Sequence, residues 1–268
     1  QKDFDKKSSE LLAVFETFDR DHPEVFWLNG STYITDTDFN CSGDIDQETD
    51  ELICICTGDI YFMLESEAHD WTIWHEKYQD KDAILSANTM VEKRVKELTN
   101  AVRGKSAVEQ MRYFNQWLTN HNEYNYQIGY VGTNANTVIR KQPDTFECTS
   151  ALKGLIGREG PVCEAYARAF KVLCDNAGIP CVLVDGNAYN GEGAENHMWN
   201  YVKVDGSWYA VDVTWNDPLG GASGAISGYE CETYFLVGSE TLTFLGNSQM
   251  KFIESHPEEN RVSKDRNQ

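Results

Sequence analysis

The chain has 268 residues, of which 41% are hydrophobic and 12% aromatic, with only 6 Pro and 20 Gly, a composition that supports a packed core and excludes disorder. A chain of this length can hold one core plus an extension. With 23 basic and 43 acidic residues the formal charge is −20, which repels phosphate backbones, excludes nucleic acid as a partner and leaves cationic peptides or ions as charge-matched ones.

A run of about 18 apolar residues, the length that a membrane span requires, occurs nowhere in the sequence, so membrane insertion is not expected. The chain opens on Gln1 followed by Lys2, Asp3, Asp5, Lys6 and Lys7, neither an initiator nor a signal peptide, and an upstream start is expected to have been removed.

Ser8 and Ser9 precede apolar residues at helical spacing (Leu11, Leu12, Val14, Phe15, Phe18), predicting an amphipathic helix that ends near His22-Pro23. Residues 31 to 35 and 52 to 64 are rich in β-branched and aromatic types and predict a strand or hairpin pair around an acidic turn region, Asp36 to Glu51. That region carries Asp36, Asp38 and Asn40 at alternating positions. Cys41 stands where a calcium loop needs glycine and Gln47 where it needs a bidentate glutamate, so a solvated acidic loop is the better reading. His69, Trp71, Trp74 and His75 form a further cluster, read as packing and not as a metal site.

Helical spacing recurs from Ile84 to Val102 and again from Ser106 to Leu118, predicting two helices separated by Gly104. Residues 122 to 160 are rich in Asn, Thr and Gly, which predicts a long ordered surface loop. Gly160-Pro161-Val162-Cys163 then leads into an Ala-rich helix that ends before Gly178 and Pro180. Strands are predicted at 182–185, 198–204, 208–213 and 234–237, the middle two joined by an Asp205-Gly206 turn, with a polar tail after the last. Residues 1–80 are expected to form an N-terminal α/β accessory segment and residues 81–268 the core.

Eight cysteines (41, 54, 56, 148, 163, 174, 181 and 231) occur without a CxxC pair or zinc-type spacing, so no metal and no cofactor is expected. Cys54 and Cys56, two apart on a predicted strand, point to one face and are poor partners for each other. Cys163 is different because it is predicted at a helix N-terminus, where unpaired N–H groups favour a thiolate. Small Ala165, Ala167 and Ala169 would let this helix lie close to a sheet. Glu164 and Arg168, at i and i+4 of the same helix, read as a surface pair.

The hairpin supplies a base and an orienting carboxylate. If Val204 pairs with Ser207, Trp199 lies opposite Asp212, and His197 becomes its diagonal neighbour on the same face at roughly 7 to 8 Å between backbones, within reach of the two side chains. An imidazole held by a carboxylate on one nitrogen offers the other to a thiol. Attack on an amide carbonyl would suit this set, with the Cys163 N–H as one oxyanion donor and Tyr166, Trp199 and Asn200 as candidates for the second. Trp199 and Trp215 are also candidates for lining a substrate cleft. Taken singly, each residue has a plainer reading: Cys163 as a buried small hydrophobe, His197 as a core or surface histidine, Asp212 as a turn or capping carboxylate.

The stretches GPVCEAYARAFKVLCDNAGIPC, NHMWNYVKVDGSWYAVDVTWNDP and YFLVGS together resemble the transglutaminase-like superfamily, in particular its secreted bacterial members, over about residues 105 to 256. The resemblance implies an α+β, papain-like core in which a cysteine helix packs on an antiparallel sheet. It implies Cys163 as nucleophile, His197 as base and Asp212 as orienter, acting on a protein or peptide substrate. It also implies a secreted or cell-surface setting. Cysteine protease, deamidase and cross-linking transglutaminase all remain open within that family, as does a binding or adhesion module that keeps the fold without turnover.

Overall fold

In a computed structural model of the chain the described residues are 13–14, 16–27, 34–45, 52–63, 65–66, 71–72, 81–125, 147–156, 160–189, 193–217, 232–245, 248–257 and 262–266. The apolar periodicity of the middle of the chain becomes helices α1 (Lys81–Ala101) and α2 (Ala107–His121). They break at Gly104, whose φ of 82° lies in the left-handed region that glycine adopts without a Cβ penalty. Ser106 starts α2 with a capping box: its hydroxyl accepts from the Glu109 N–H while the Glu109 carboxylate accepts from the Ser106 N–H. The Ser106 hydroxyl also donates to the Glu109 carboxylate at 2.7 Å, and this bond together with that from the Ser106 N–H lowers the Glu109 pKa from its ordinary value.

Helix α3 (Ala151–Ile156) follows a short 3₁₀ turn, Glu147–Thr149. Part of the expected surface loop is therefore core, with Ala151, Gly154 and Leu155 buried; residues 126–146 lie outside the described residues. The cause is close approach between helices. A Cβ on Gly154 would lie 2.7 Å from the Ala165 carbonyl oxygen and 2.7 Å from the Ala169 Cβ, both on helix α4 (Cys163–Asn176). Ala165 and Ala169 thus make room for a helix, while Ala167 packs towards the sheet with Leu183 and Met198. Gly154→Ala is expected to destabilise the protein by about 1–3 kcal/mol through overpacking. Urea unfolding measures it, and an unchanged midpoint would mean that α3 does not sit this tightly.

Helix α4 lies on a three-stranded antiparallel sheet in the order β5 (Cys181–Tyr189), β6 (Ala194–Val204), β7 (Ser207–Val211). Val204 does pair with Ser207. Asp205 and Gly206 take φ of 50° and 85°, the left-handed pair that a two-residue hairpin turn uses. Residues 197–202 of β6 are buried on both faces. Trp199 and Tyr201 turn to a cluster with Trp215, Tyr234 and Phe252, and Met198 and Asn200 turn to α4.

Two strand boundaries differ from expectation. β7 stops at Val211 because Asp212 caps a single-turn helix, α5 (Val213–Asn216). Tyr234–Val237 is a bent segment and not a strand: it pairs with β7 only through the Ala210 and Val237 bridge, and Leu236 has a φ of 50°. The expected polar tail is structured as well, with β8 (Leu242–Leu245), β9 (Ser248–Lys251) and α6 (Phe252–Ser255). Phe252, Ser255 and His256 are fully buried.

Towards the N-terminus, β1 (Ile34–Ile45) and β2 (Leu52–Met63) pair antiparallel, followed by the short pair β3 (Glu65–Ser66) and β4 (Trp71–Thr72). Residues 36–45, expected in the acidic turn, are strand. Twelve continuous backbone pairings override the poor strand preference of their aspartates. The register sets Cys56 opposite Cys41. His69, Trp74 and His75 lie outside the described residues.

Residues 16–21 are helical, and Phe26 joins the core formed by α1, α2 and α4. Arg168 holds this segment: its guanidinium binds both Glu164 at 2.9 Å and Asp19 at 2.5 Å. Its side chain is only 12% exposed, so the expected surface pair is a largely buried triad. Burial pushes the Glu164 carboxyl up, against the pull of Arg168. Arg168→Ala would leave two carboxylates facing each other without a cation, a loss of about 3–5 kcal/mol. Hydrogen exchange across residues 16–27 would rise first.

Candidate active site

Cys163 is the first residue of α4, and three backbone hydrogen bonds hold the segment that enters it. Gly160 N–H donates to Glu123 O at 3.0 Å, Asn125 N–H to Pro161 O at 3.1 Å and Val162 N–H to Cys148 O at 2.9 Å. Gly160, at φ 92°, makes the turn, and a Cβ there would meet the Asn125 amide at 3.2 Å. Val162 is the N-cap and supplies no capping side chain. Cys163 is a free cysteine, half-buried against Ala167, Leu183 and Met198.

His197 leaves β6 among aromatic rings. Trp199 stacks on it at 5.9 Å between centroids and Trp215 tilts against it at 5.3 Å. Its Nε2 lies 2.7 Å from Asp212 Oδ2, with both side chains essentially out of solvent. Burial disfavours the imidazolium, but the Asp212 charge and hydrogen bond outweigh it, and the Cys163 side chain adds to them; the His197 pKa is raised well above the ordinary value. Asp212 shows the converse, its carboxyl held far below the usual carboxylate range against burial by the charge and hydrogen bond of His197 and by His256.

Each Asp212 oxygen has its own partner. Oδ1 accepts from the Trp215 N–H at 3.0 Å, capping α5, and Oδ2 takes His197. The three residues after Thr214 are tied down too. Asn216 donates to Asn115 on α2 and accepts from the Tyr234 N–H, and Asp217 accepts from the Tyr166 hydroxyl. Asp212 therefore sits on a short helix anchored to both α2 and α4.

Four other expected site residues have different places. Tyr166 is fully buried and turns its hydroxyl to Asp217. Asn200 Nδ2 donates to Ala167 O at 3.0 Å, because α4 covers this part of β6. Trp199 and Trp215 are 0% and 3% exposed, so they wall the imidazole and do not line an open cleft. The residue that sequence reasoning missed is His256. Its Nε2 lies 3.4 Å from Asp212 Oδ2, yet in the sequence it is a lone histidine in a polar stretch without periodicity.

His197, Asp212 and His256 bring one donor atom each within 4.8 Å of one another. Two imidazoles and a carboxylate are a set that zinc accepts, but bonds of about 2.0–2.1 Å in a tetrahedral site spread its ligands to roughly 3.3 Å. The 2.7 Å between His197 and Asp212 is instead the length of a charge-assisted hydrogen bond. The arrangement is suited to moving a proton between Cys163 and His197 while Asp212 holds the ring.

Residues 92–213 match the sequence profile of the Transglutaminase-like superfamily. Kyphoscoliosis peptidase of Mus musculus is 28% identical over 122 residues, covering 42% of this chain and 16% of the peptidase. The Homo sapiens Kyphoscoliosis peptidase is 27% identical over 120 residues, with the same coverage of 42% and 16%. The chain thus spans about a sixth of the length of these relatives. A crystal structure of a TGase superimposes with a TM-score of 0.39 and 16% identity, over 52% of this chain and 34% of that one. Among the described residues no helix is long and apolar enough to cross a membrane. Since the profile takes in the cysteine helix, the histidine strand and the capping aspartate as one continuous match, residues 92–213 form a domain of the transglutaminase-like superfamily.

Proposed function

We propose that this chain is a thiol-dependent acyl-transfer enzyme acting on peptide or isopeptide amides, with Cys163 as nucleophile, His197 as base and Asp212 as the orienting residue. The observation that carries it is the buried pair of His197 and Asp212 at 2.7 Å with Cys163 on the same imidazole. Asp212 occupies Nε2, so the thiol proton passes to Nδ1. The sulfur attacks the amide carbonyl, and the negative oxygen meets the Cys163 N–H at the uncapped start of α4. The imidazolium protonates the leaving amine, and a thioester remains. Water then gives the free acid, or a primary amine gives a new amide; either step regenerates the thiol. Residues 81–268 carry this chemistry and residues 1–80 are accessory; the resemblance of the cysteine, histidine and aspartate motifs to secreted bacterial proteins supports a setting outside the cell.

The test is incubation of the chain with a glutamine-containing peptide, with and without a primary amine, followed by mass spectrometry. Amine incorporation identifies cross-linking, ammonia release alone identifies deamidation, and chain cleavage identifies a protease. No product, together with no preferential labelling of Cys163 by iodoacetamide near neutral pH, would sink the enzyme reading and leave a binding module.

A further inference from the structure

Asp212 has one partner more than the three-residue site requires. The His256 imidazole is 0% exposed, with Nε2 3.4 Å from Asp212 Oδ2 and Nδ1 2.9 Å from Ser255 Oγ. Phe252 stacks on it at 4.1 Å between centroids, and Trp199 and Trp215 meet it edge-on at 4.8 and 4.7 Å. These rings fix the plane of the imidazole, and its two hydrogen bonds fix which way round it lies, since a 180° flip would set ring carbons against Asp212 and Ser255.

The proton inventory follows from the partners. An unprotonated Nε2 would turn a lone pair towards a buried carboxylate, two acceptors face to face, which is costly away from water. Nε2 therefore carries a hydrogen and donates. The Ser255 hydroxyl has acceptors at both Nδ1 and Phe252 O, at 2.9 and 3.0 Å. Given to Nδ1, its proton leaves the ring neutral with the hydrogen on Nε2, the outer partner selecting the tautomer.

We propose that His256 is a positioning residue that acts through Asp212, a second imidazole that keeps the carboxylate ionised and in the rotamer that His197 needs. The proposal rests on the acyl-transfer reading above. Oδ2 is shared between two imidazoles, and Oδ1 is held by the Trp215 N–H, so the carboxylate cannot rotate without giving up all three bonds. Donation from His256 also makes Asp212 a poorer base, so the shared proton stays on His197 Nε2 and leaves Nδ1 to receive the thiol proton.

The experiment compares His256→Phe, which keeps a stacked ring but removes the donor, with His256→Gln, which restores an N–H at similar reach. The readouts are the rate at which iodoacetamide alkylates Cys163 near neutral pH and the downfield proton resonance of His197 Nε2–H. Phe at 256 is expected to slow alkylation by about tenfold, the factor that one hydrogen bond to a charged group contributes, and to shift or broaden the resonance. Gln is expected to recover most of both. A folded His256→Phe protein with the wild-type rate and resonance overturns the proposal. If Phe at 256 prevents folding, Ser255→Ala carries the test: a several-fold slower alkylation supports the tautomer argument, and wild-type values overturn it. Failure of the enzyme reading looks different. There wild-type Cys163 reacts no faster than it does in His197→Ala, while the resonance still reports whether His256 holds the pair.

Discussion

Cys163→Ala is expected to abolish acyl transfer while the protein stays folded. Loss of a nucleophile in a unit of this kind costs on the order of 10⁴-fold or more in kcat, and what remains is set by binding and the oxyanion donors alone. Stability should move little. Cys163 is half-buried at a helix end and packs against Ala167, Leu183 and Met198, so removing one sulfur is expected to cost less than about 1 kcal/mol. Circular dichroism and a thermal melt beside the peptide assay check both halves. Turnover retained by the alanine variant would remove Cys163 from the chemistry.

Much of this site was legible in the sequence because strand registry is arithmetic. The Asp205-Gly206 turn fixes Val204 opposite Ser207, and the register then runs to Asn200 opposite Val211; Asp212, one residue beyond the ladder, keeps an extended backbone as the cap of α5 and so still meets His197. The helix carrying Cys163 was legible for a similar reason, having a Gly-Pro entry and a glycine exit. His256 was not, because only tertiary packing brings a residue from the end of the chain onto Asp212. Helix α3 was hidden by its own glycine. Gly154 lowers helix preference locally yet is what allows α3 to approach Ala165 and Ala169. The strand nature of residues 36–45 was masked by aspartates, whose local preference loses to the long pairing with β2.

Asp212→Asn is expected to cost both activity and stability, in a pattern that separates orientation from mere packing. The amide fits the same space, and its oxygen can still cap Trp215. Facing His197, however, it presents an N–H where Oδ2 accepted from Nε2–H. The ring must then give up its Nε2 hydrogen and carry it on Nδ1, pointing a hydrogen at the thiol that Nδ1 should deprotonate. A wrong tautomer of this kind lowers kcat by about 10⁴-fold. Breaking the buried ion pair also costs about 3 kcal/mol, roughly 6–12 °C in Tm for a chain of this size.

The pH dependence gives the stricter test of the same variant. The Asp212 carboxyl is depressed in the folded state, so its contribution is present above the unfolded value of about 3.9 and is lost as pH falls towards the folded one. The His197 imidazole is raised, so its contribution is full below the unfolded value of about 6.5 and is lost as pH rises through the folded one. The gap in Tm between wild type and Asp212→Asn should therefore be widest between about pH 4 and 6.5 and should narrow on both sides. The acid limb of either protein alone would not reveal this, since 43 acidic residues titrate there. The difference between the two cancels that common background. A gap that stays constant with pH would mean that no charge on Asp212 is paired with His197.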